Sequence, residues 1–237
     1  MASNRIGCAG ASIASKDTAS FPADGTHLER YATVFNAVEI NSSFYKPHQP
    51  KTYERWAASV PDDFRFSVKL PRTVTQYKRL VGAAEEILRF AGEAGSLGDK
   101  LGCVLVQLPP SLAFDGCVAD AFFAYLQTAF SCAIACEARH ASWFADDATV
   151  LLRGHAVTRV IADPPAGQAG PHEPTADMMY VRLHGSPRIY YSTYSDDYLR
   201  RVAAQIKGRN AWCIFDNTAE GAAVPNALLL QSMLQNL

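Results

Sequence analysis

The 237-residue sequence lacks a charge imbalance: 22 Lys and Arg stand against 23 Asp and Glu, a formal net charge of −1. A near-neutral chain has no broad electrostatic footprint for avid, sequence-independent binding to nucleic acid, which leaves only a local basic patch for that role. No charge run exceeds a few residues, so no disordered charged tail is expected. No stretch approaches the ~20 apolar residues that a membrane-spanning helix needs. The opening residues Met1-Ala2-Ser3-Asn4-Arg5 lead into a short apolar strand and not into the apolar core of a secretion signal. Cysteines are few and scattered, and the closest pair, Cys132 and Cys136, lacks the second Cys or His pair of a zinc knuckle. They read as reduced thiols in the core, an expectation of a soluble protein in a reducing, cytoplasmic compartment. The phosphate-binding P-loop, the dinucleotide Gly fingerprint and the nucleophile elbow are all missing, so no nucleotide cofactor is expected.

What the sequence does have is apolar surface, 49% of its residues, enough for a core without staples. Short β-branched or apolar runs recur at 5–9, 34–40, 64–70, 103–108, 133–137, 158–162, 179–184 and 212–215. Helical rhythm fills most of the gaps, at 52–58, 82–94, 119–130, 146–152, 196–206 and 225–237, with a weaker helix at 27–33. Strands alternating with helices imply parallel pairing through right-handed crossovers. Eight such units predict an α/β fold of the (β/α)₈ TIM-barrel type, a single domain over 1–237. The Pro- and Gly-rich segment 163–174 reads as a long connection over one end of the barrel.

In such a barrel the C-terminal strand ends carry the chemistry. Here those ends present Glu39 and Asn41, Lys69, Gln107, Glu137 and Arg139, Asp163, Arg182 and His184, and Asp216 with Asn217. Side chains alternate faces along a strand, so Glu39 and Asn41, Glu137 and Arg139, and Arg182 and His184 each share a side. Charged groups gathered there must satisfy one another or a ligand. The bland alternative is an ion-pair network that merely plugs the barrel mouth. Aromatics surround the same end: Phe44 and Tyr45, Trp143, and the Tyr190, Tyr191, Tyr194 group. They suit a sugar ring or other flat substrate, or else pack loops onto the rim.

Glu39, Glu137, His184 and Asp216 are therefore the candidate catalytic groups. Asn41, Tyr45, Lys69, Gln107, Arg139, Trp143, Asp163, Arg182, Tyr190, Tyr194 and Asn217 are the candidate substrate-binding residues. Carboxylates plus imidazole suit a divalent metal such as Mg, Mn or Zn, while the interleaved Lys69 and Arg139 oppose a cation. Two function classes remain open, beside a noncatalytic ligand sensor that the sequence does not separate from the first. One is a hydrolase- or isomerase-like enzyme acting on a small polar or sugar-like molecule. The other is a nucleic-acid-processing or nucleic-acid-binding protein using a basic rim of Lys46, Lys51, Arg72, Lys78, Arg79 and Arg188.

Several segments carry a resemblance: Val38-Glu39-Ile40-Asn41-Ser42-Ser43-Phe44-Tyr45, Phe64-Arg65-Phe66-Ser67-Val68-Lys69, Val106-Gln107-Leu108-Pro109-Pro110-Ser111, Glu137-Ala138-Arg139-His140-Ala141-Ser142-Trp143-Phe144, Arg182-Leu183-His184-Gly185 and Phe215-Asp216-Asn217-Thr218. Together they resemble the YecE-like family, a domain of unknown function. The resemblance spans nearly the whole chain and implies a TIM barrel without implying a reaction. The chain departs from it at Ala11, where the family tends to have Trp, and at Gln76, where it usually has His.

Overall fold

The computed structural model describes residues 4–168, 170 and 172–236. Along the described residues parallel strands alternate with helices except from β6 to β8: β1 (Asn4–Cys8), α1 (His27–Ala32), β2 (Ala37–Ile40), α2 (Ser42–Tyr45), α3 (Pro50–Ala58), β3 (Arg65–Lys69), α4 (Ala84–Ala94), β4 (Leu101–Gln107), α5 (Gly116–Ala129), β5 (Ala133–Glu137), α6 (Asp146–Gly154), β6 (Thr158–Arg159), β7 (Ile161–Asp163), β8 (Met179–Leu183), α7 (Asp196–Ile206), β9 (Ala211–Phe215) and α8 (Ala223–Gln235). The helices form where one apolar stripe meets a local start signal. Thr26 caps α1 by accepting from the Glu29 amide while the Glu29 carboxylate accepts from the Thr26 amide. Asp115 and Ser195 cap α5 and α7 by accepting from the Val118 and Tyr198 amides, and α7 buries Leu199, Val202, Ala203 and Ile206 against the sheet.

The ladders differ from the single ring of eight strands expected. They form two parallel sheets, one in the order β1-β9-β8-β7 and the other β2-β3-β4-β5-β6. One break falls at Val160, where the expected strand 158–162 splits into β6 and β7. The Val160 amide still donates to the Cys136 carbonyl at 2.9 Å, toward one sheet, while Ile161 onwards pairs with β8 in the other. The second break lies between β1 and β2. There the Tyr31 hydroxyl is wedged into the seam, accepting from the Cys8 amide at 2.7 Å and donating to the Ala37 carbonyl at 3.0 Å. One side chain thus satisfies two backbone groups that a ladder would have paired directly. The strands come so close that a Cβ on Gly7 would lie 2.0 Å from the Ala37 carbonyl oxygen. Beyond the hydroxyl, direct contact resumes through the parallel bridge Ala9–Glu39 and the Gly10 amide, which donates to the Glu39 carbonyl at 2.9 Å.

Two apolar cores result. The larger packs helices onto the outer faces of the strands. The smaller is drawn from both sheets and includes Ala37, Cys103, Leu105, Ala135, Val160, Tyr180, Trp212 and Ile214. Tyr180 and Trp212 stack within it, their rings 5.9 Å apart and inclined by 10°. Among the described residues no helix connects β7 to β8, in keeping with the expected long connection. No helix of the described chain is long and apolar enough to cross a membrane.

Candidate functional site

Directly above the inner core, the C-terminal ends of β2, β3, β5, β8 and β9 bring seven charged side chains together. The centre is Arg182 on β8, fully buried. Its guanidinium donates from Nε to Glu39 Oε2 at 3.0 Å and from Nη2 to Glu39 Oε1 at 2.7 Å, a bidentate clamp. Nη2 also donates to Asp216 Oδ2 at 3.0 Å, and Nη1 donates to Glu137 Oε2. Glu137 in turn accepts from Arg139 through Nε at 2.9 Å and Nη2 at 2.7 Å. His184 lies between two carboxylates, with Nδ1 3.0 Å from Asp216 Oδ2 and Nε2 3.3 Å from Glu137 Oε1. Beneath this layer the Tyr180 hydroxyl is 2.8 Å from Glu39 Oε2, to which it donates, and 2.7 Å from Ser67 Oγ.

The seventh member differs from the rest. Lys69, 6% exposed at the end of β3, holds its ammonium over the Phe44 ring at 4.3 Å. Among the described residues its ammonium has no carboxylate close enough for an ion pair.

The charges set the protonation states. Burial alone would raise the Glu137 carboxyl, but Arg182, His184 and Arg139 hold it well below the usual carboxylate range. Asp216, likewise buried, is held low by Arg182 and by its hydrogen bond to His184. Burial works against the His184 cation, yet Glu137 and Asp216 hold its pKa above the ordinary value. Burial and the nearby Arg182 push the Lys69 ammonium down to about 8, against an ordinary 10.5. Three carboxylates, Glu39, Glu137 and Asp216, are thus shared among Arg182, Arg139 and His184, with Lys69 standing beside them.

This arrangement does not fit a metal. Both oxygens of Glu39 and of Glu137 accept from guanidinium groups. Among the described residues no cluster of three or more His, Cys, Asp or Glu is placed to hold an ion. The oxygens that a cation needs are occupied by arginine.

Other candidates lie elsewhere. Trp143 is buried in the outer core, with Nε1 donating to the Leu112 carbonyl at 2.9 Å and the ring against Phe114 and Phe123, so its position corrects the expectation of a cleft aromatic. Tyr45 points outward, 65% exposed beside Arg72, because α2 turns the chain away after Asn41. Asn41 itself has α-helical backbone angles, so strand alternation ends before it, and its buried Oδ1 has no hydrogen-bond partner. Gln107 lies beside Glu137 in register, and its carbonyl accepts from Gln76 Nε2 at 3.1 Å.

Asp163 and Tyr194 bind each other, with the hydroxyl donating to Oδ1 at 2.9 Å. Asn217 donates to the Ser192 carbonyl at 2.9 Å and to Asn226 Oδ1 at 3.0 Å. These three residues anchor the base of the loop after β8. Gly185 begins that loop at φ +94°, where a Cβ would meet the Ser192 carbonyl oxygen at 2.9 Å. Tyr190, near the loop tip with φ 71°, presents its ring edge-on to His184 with centroids 6.0 Å apart.

Four of the six basic rim residues are engaged. Lys78 pairs with Glu86, Arg79 donates to Ser111, Arg72 lies between two tyrosine rings and Arg188 covers Tyr191. Ser67 and Tyr180 escaped the sequence reading. Tyr180 was findable, because it precedes Arg182 by two residues and so faces the same side.

The Protein of unknown function DUF72 family model matches residues 5–237. The chain belongs to the DUF72 family. UPF0759 protein YecE of Escherichia coli K12 is 32% identical over 156 residues, 62% of this chain, and the match spans only 56% of that protein's length. A solved DUF72 family protein from Thermotoga maritima MSB8 is 25% identical and superposes with a TM-score of 0.80, covering 98% of this chain and 99% of the other. More distantly, a sugar phosphate isomerase/epimerase from Parabacteroides distasonis ATCC 8503 shares the fold at 13% identity, with a TM-score of 0.55 over 87% of this chain and 86% of that one. Of the two departures from the DUF72 pattern, Gln76 reaches the β4 end, and Ala11 packs half-buried against the outer core.

Proposed function

We propose that this DUF72 protein is an acid/base enzyme, isomerase- or hydrolase-like, whose substrate is a small polar molecule carrying negative charge or developing it during reaction. The two sheets then work as one (β/α)₈ barrel of a single domain, a reading supported by the Ala9–Glu39 bridge and the inner core common to both. The observation that carries the function is the uncommitted Lys69 ammonium beside a network whose carboxylates are already taken. A purely structural plug would have no use for a buried cation that is left over, because burying an unpaired charge is costly.

Glu39 and Glu137 are then positioning groups that hold Arg182, Arg139 and His184. The working acid and base are His184, whose pKa the two carboxylates raise, and Lys69, whose neutral amine becomes accessible near pH 8. Arg139, with a side chain 21% exposed, would face the substrate's negative charge. The fold shared with a sugar phosphate isomerase/epimerase makes sugar phosphates and hydroxy acids the first compounds to try.

The test has two stages. Compounds from such a panel that raise the melting temperature are incubated with the enzyme in D₂O, and loss of a carbon-bound proton signal is followed by NMR. Isomerase chemistry predicts solvent exchange, with a rate that rises toward pH 8 and drops at least 100-fold in Lys69→Met. Hydrolysis would appear in the same spectra as new product signals. A panel that neither binds nor reacts, or a fully active Lys69→Met variant, would refute the proposal.

A further inference from the structure

Beside the charged cluster, where β1 and β9 end, a cavity of about 420 Å³ opens between the loop 9–17 and residues 218–224. Its lining includes Cys8, Gly10, Ile13, Asp17, Thr218 and Glu220. Asp17 is nine-tenths buried, and its Oδ2 has no hydrogen-bond partner. A buried carboxylate oxygen without a donor is costly, and native structures rarely leave one so unless a ligand completes it. The nearest basic side chain along the chain, Lys16, spends its ammonium on the Glu220 carbonyl at 2.8 Å. Among the described residues no Lys, Arg or His lines the cavity, and its second charged residue, the exposed Glu220, is acidic and has Arg188 at 3.9 Å. Ile13, Ala14, Ala223 and Val224 supply apolar wall around the carboxylate.

We infer that this cavity is a binding site for an alkylammonium group, with Asp17 as the counter-charge and the apolar wall against the attached methylenes. An ammonium brings three donors and a full positive charge, which answers both the open oxygen and the uncompensated Asp17 carboxylate. A neutral hydroxyl would answer only the first. The cavity adjoins the charged cluster, because the Cys8 thiol feels the carboxylates of both Asp17 and Asp216. A molecule reaching across would present an amine at one end and a negative group at the other. The ammonium site itself stands on the cavity and Asp17 alone, independent of the acid/base reading of Lys69.

The experiment is an NMR titration of the ¹⁵N-labelled full chain with ethanolamine hydrochloride, against ethylene glycol as the uncharged isostere and sodium chloride as the ionic control. Saturable shifts centred on the Gly10, Asp17 and Gly221 amides with ethanolamine alone are expected, with the dissociation constant raised tenfold or more in Asp17→Asn. Equal shifts with ethylene glycol, or an unchanged titration in Asp17→Asn, would overturn the inference. Should that variant fail to fold, Ala219→Phe at the exposed cavity rim decides instead: lost shifts support the site, and an unaltered titration overturns it. A parallel titration with inorganic phosphate reads the Lys69 and Arg139 side separately, so failure at one site does not count against the other.

Discussion

Glu137 illustrates how a residue changes its meaning once its neighbours are known. From the strand end alone it is a candidate acid or base, and it could equally be half of a structural pair. In the structure it accepts from Arg182, Arg139 and His184, and these cations hold it ionised far below neutral pH. A group that never protonates near pH 7 is a poor proton shuttle and a good anchor. Glu137→Gln should therefore destabilise the protein by about 3 kcal/mol, because three cations lose a buried counter-charge; urea unfolding measures it. Lys69 should behave in the opposite way. With its pKa lowered to about 8, the folded state bears a penalty for the charge at neutral pH. Lys69→Met should thus stabilise the protein at pH 7, by on the order of 2–3 kcal/mol, while abolishing activity. Of the fifteen side chains singled out from the sequence, the charged ones at strand ends converge, except Asp163, because parity and parallel pairing already placed them on one face. Trp143, Tyr45 and Asn41 do not, since loop and helix geometry after a strand end has no period to read.

At the scale of elements, the strands and the larger helices were legible because each couples a short apolar run to a turn or cap signal. The two ladder breaks were not. Nothing in the run Thr158-Arg159-Val160-Ile161-Ala162 marks Val160 as the point where pairing changes sheets. The β1–β2 seam depends on Tyr31, which sits on α1 far from either strand in pattern terms. Tyr31→Phe leaves the Cys8 amide and the Ala37 carbonyl facing one another across a gap, and should cost about 2 kcal/mol. The same change should raise the hydrogen-exchange rates of the β1 amides above those of β4, which is laddered on both sides. Equal exchange in the two strands would show that the seam carries no special weight.

For the molecule as a whole, the cluster dictates how stability follows pH. Glu137 and Asp216 have lowered pKa values, so their contribution is present above their ordinary values of 4.5 and 3.8 and is lost as pH falls through the folded ones. His184 has a raised pKa, so its contribution is complete below 6.5 and fades as pH rises through its folded value. Lys69 acts against His184 on the alkaline side: between about 8 and 10.5 the unfolded chain holds a proton that the folded one has released, and stability gains. Melting temperatures across pH 3–10 should show a steep acid limb and a shallow alkaline one. In Lys69→Met the alkaline decline should steepen, because the compensating gain is gone; an unchanged profile would remove Lys69 from the account.

The position of Arg182 in the chain has a consequence for biosynthesis. Its guanidinium takes partners 143 and 45 residues earlier, at Glu39 and Glu137, and 34 residues later, at Asp216. On a ribosome the two earlier carboxylates emerge before the arginine that binds them, and the third emerges after it. The inner layer can close only when β9 has left the exit tunnel, so the nascent chain carries open polar groups on its inner face until that strand emerges. Those groups keep the unfinished intermediate wet, which delays collapse of its apolar strands onto wrong partners until the last one arrives.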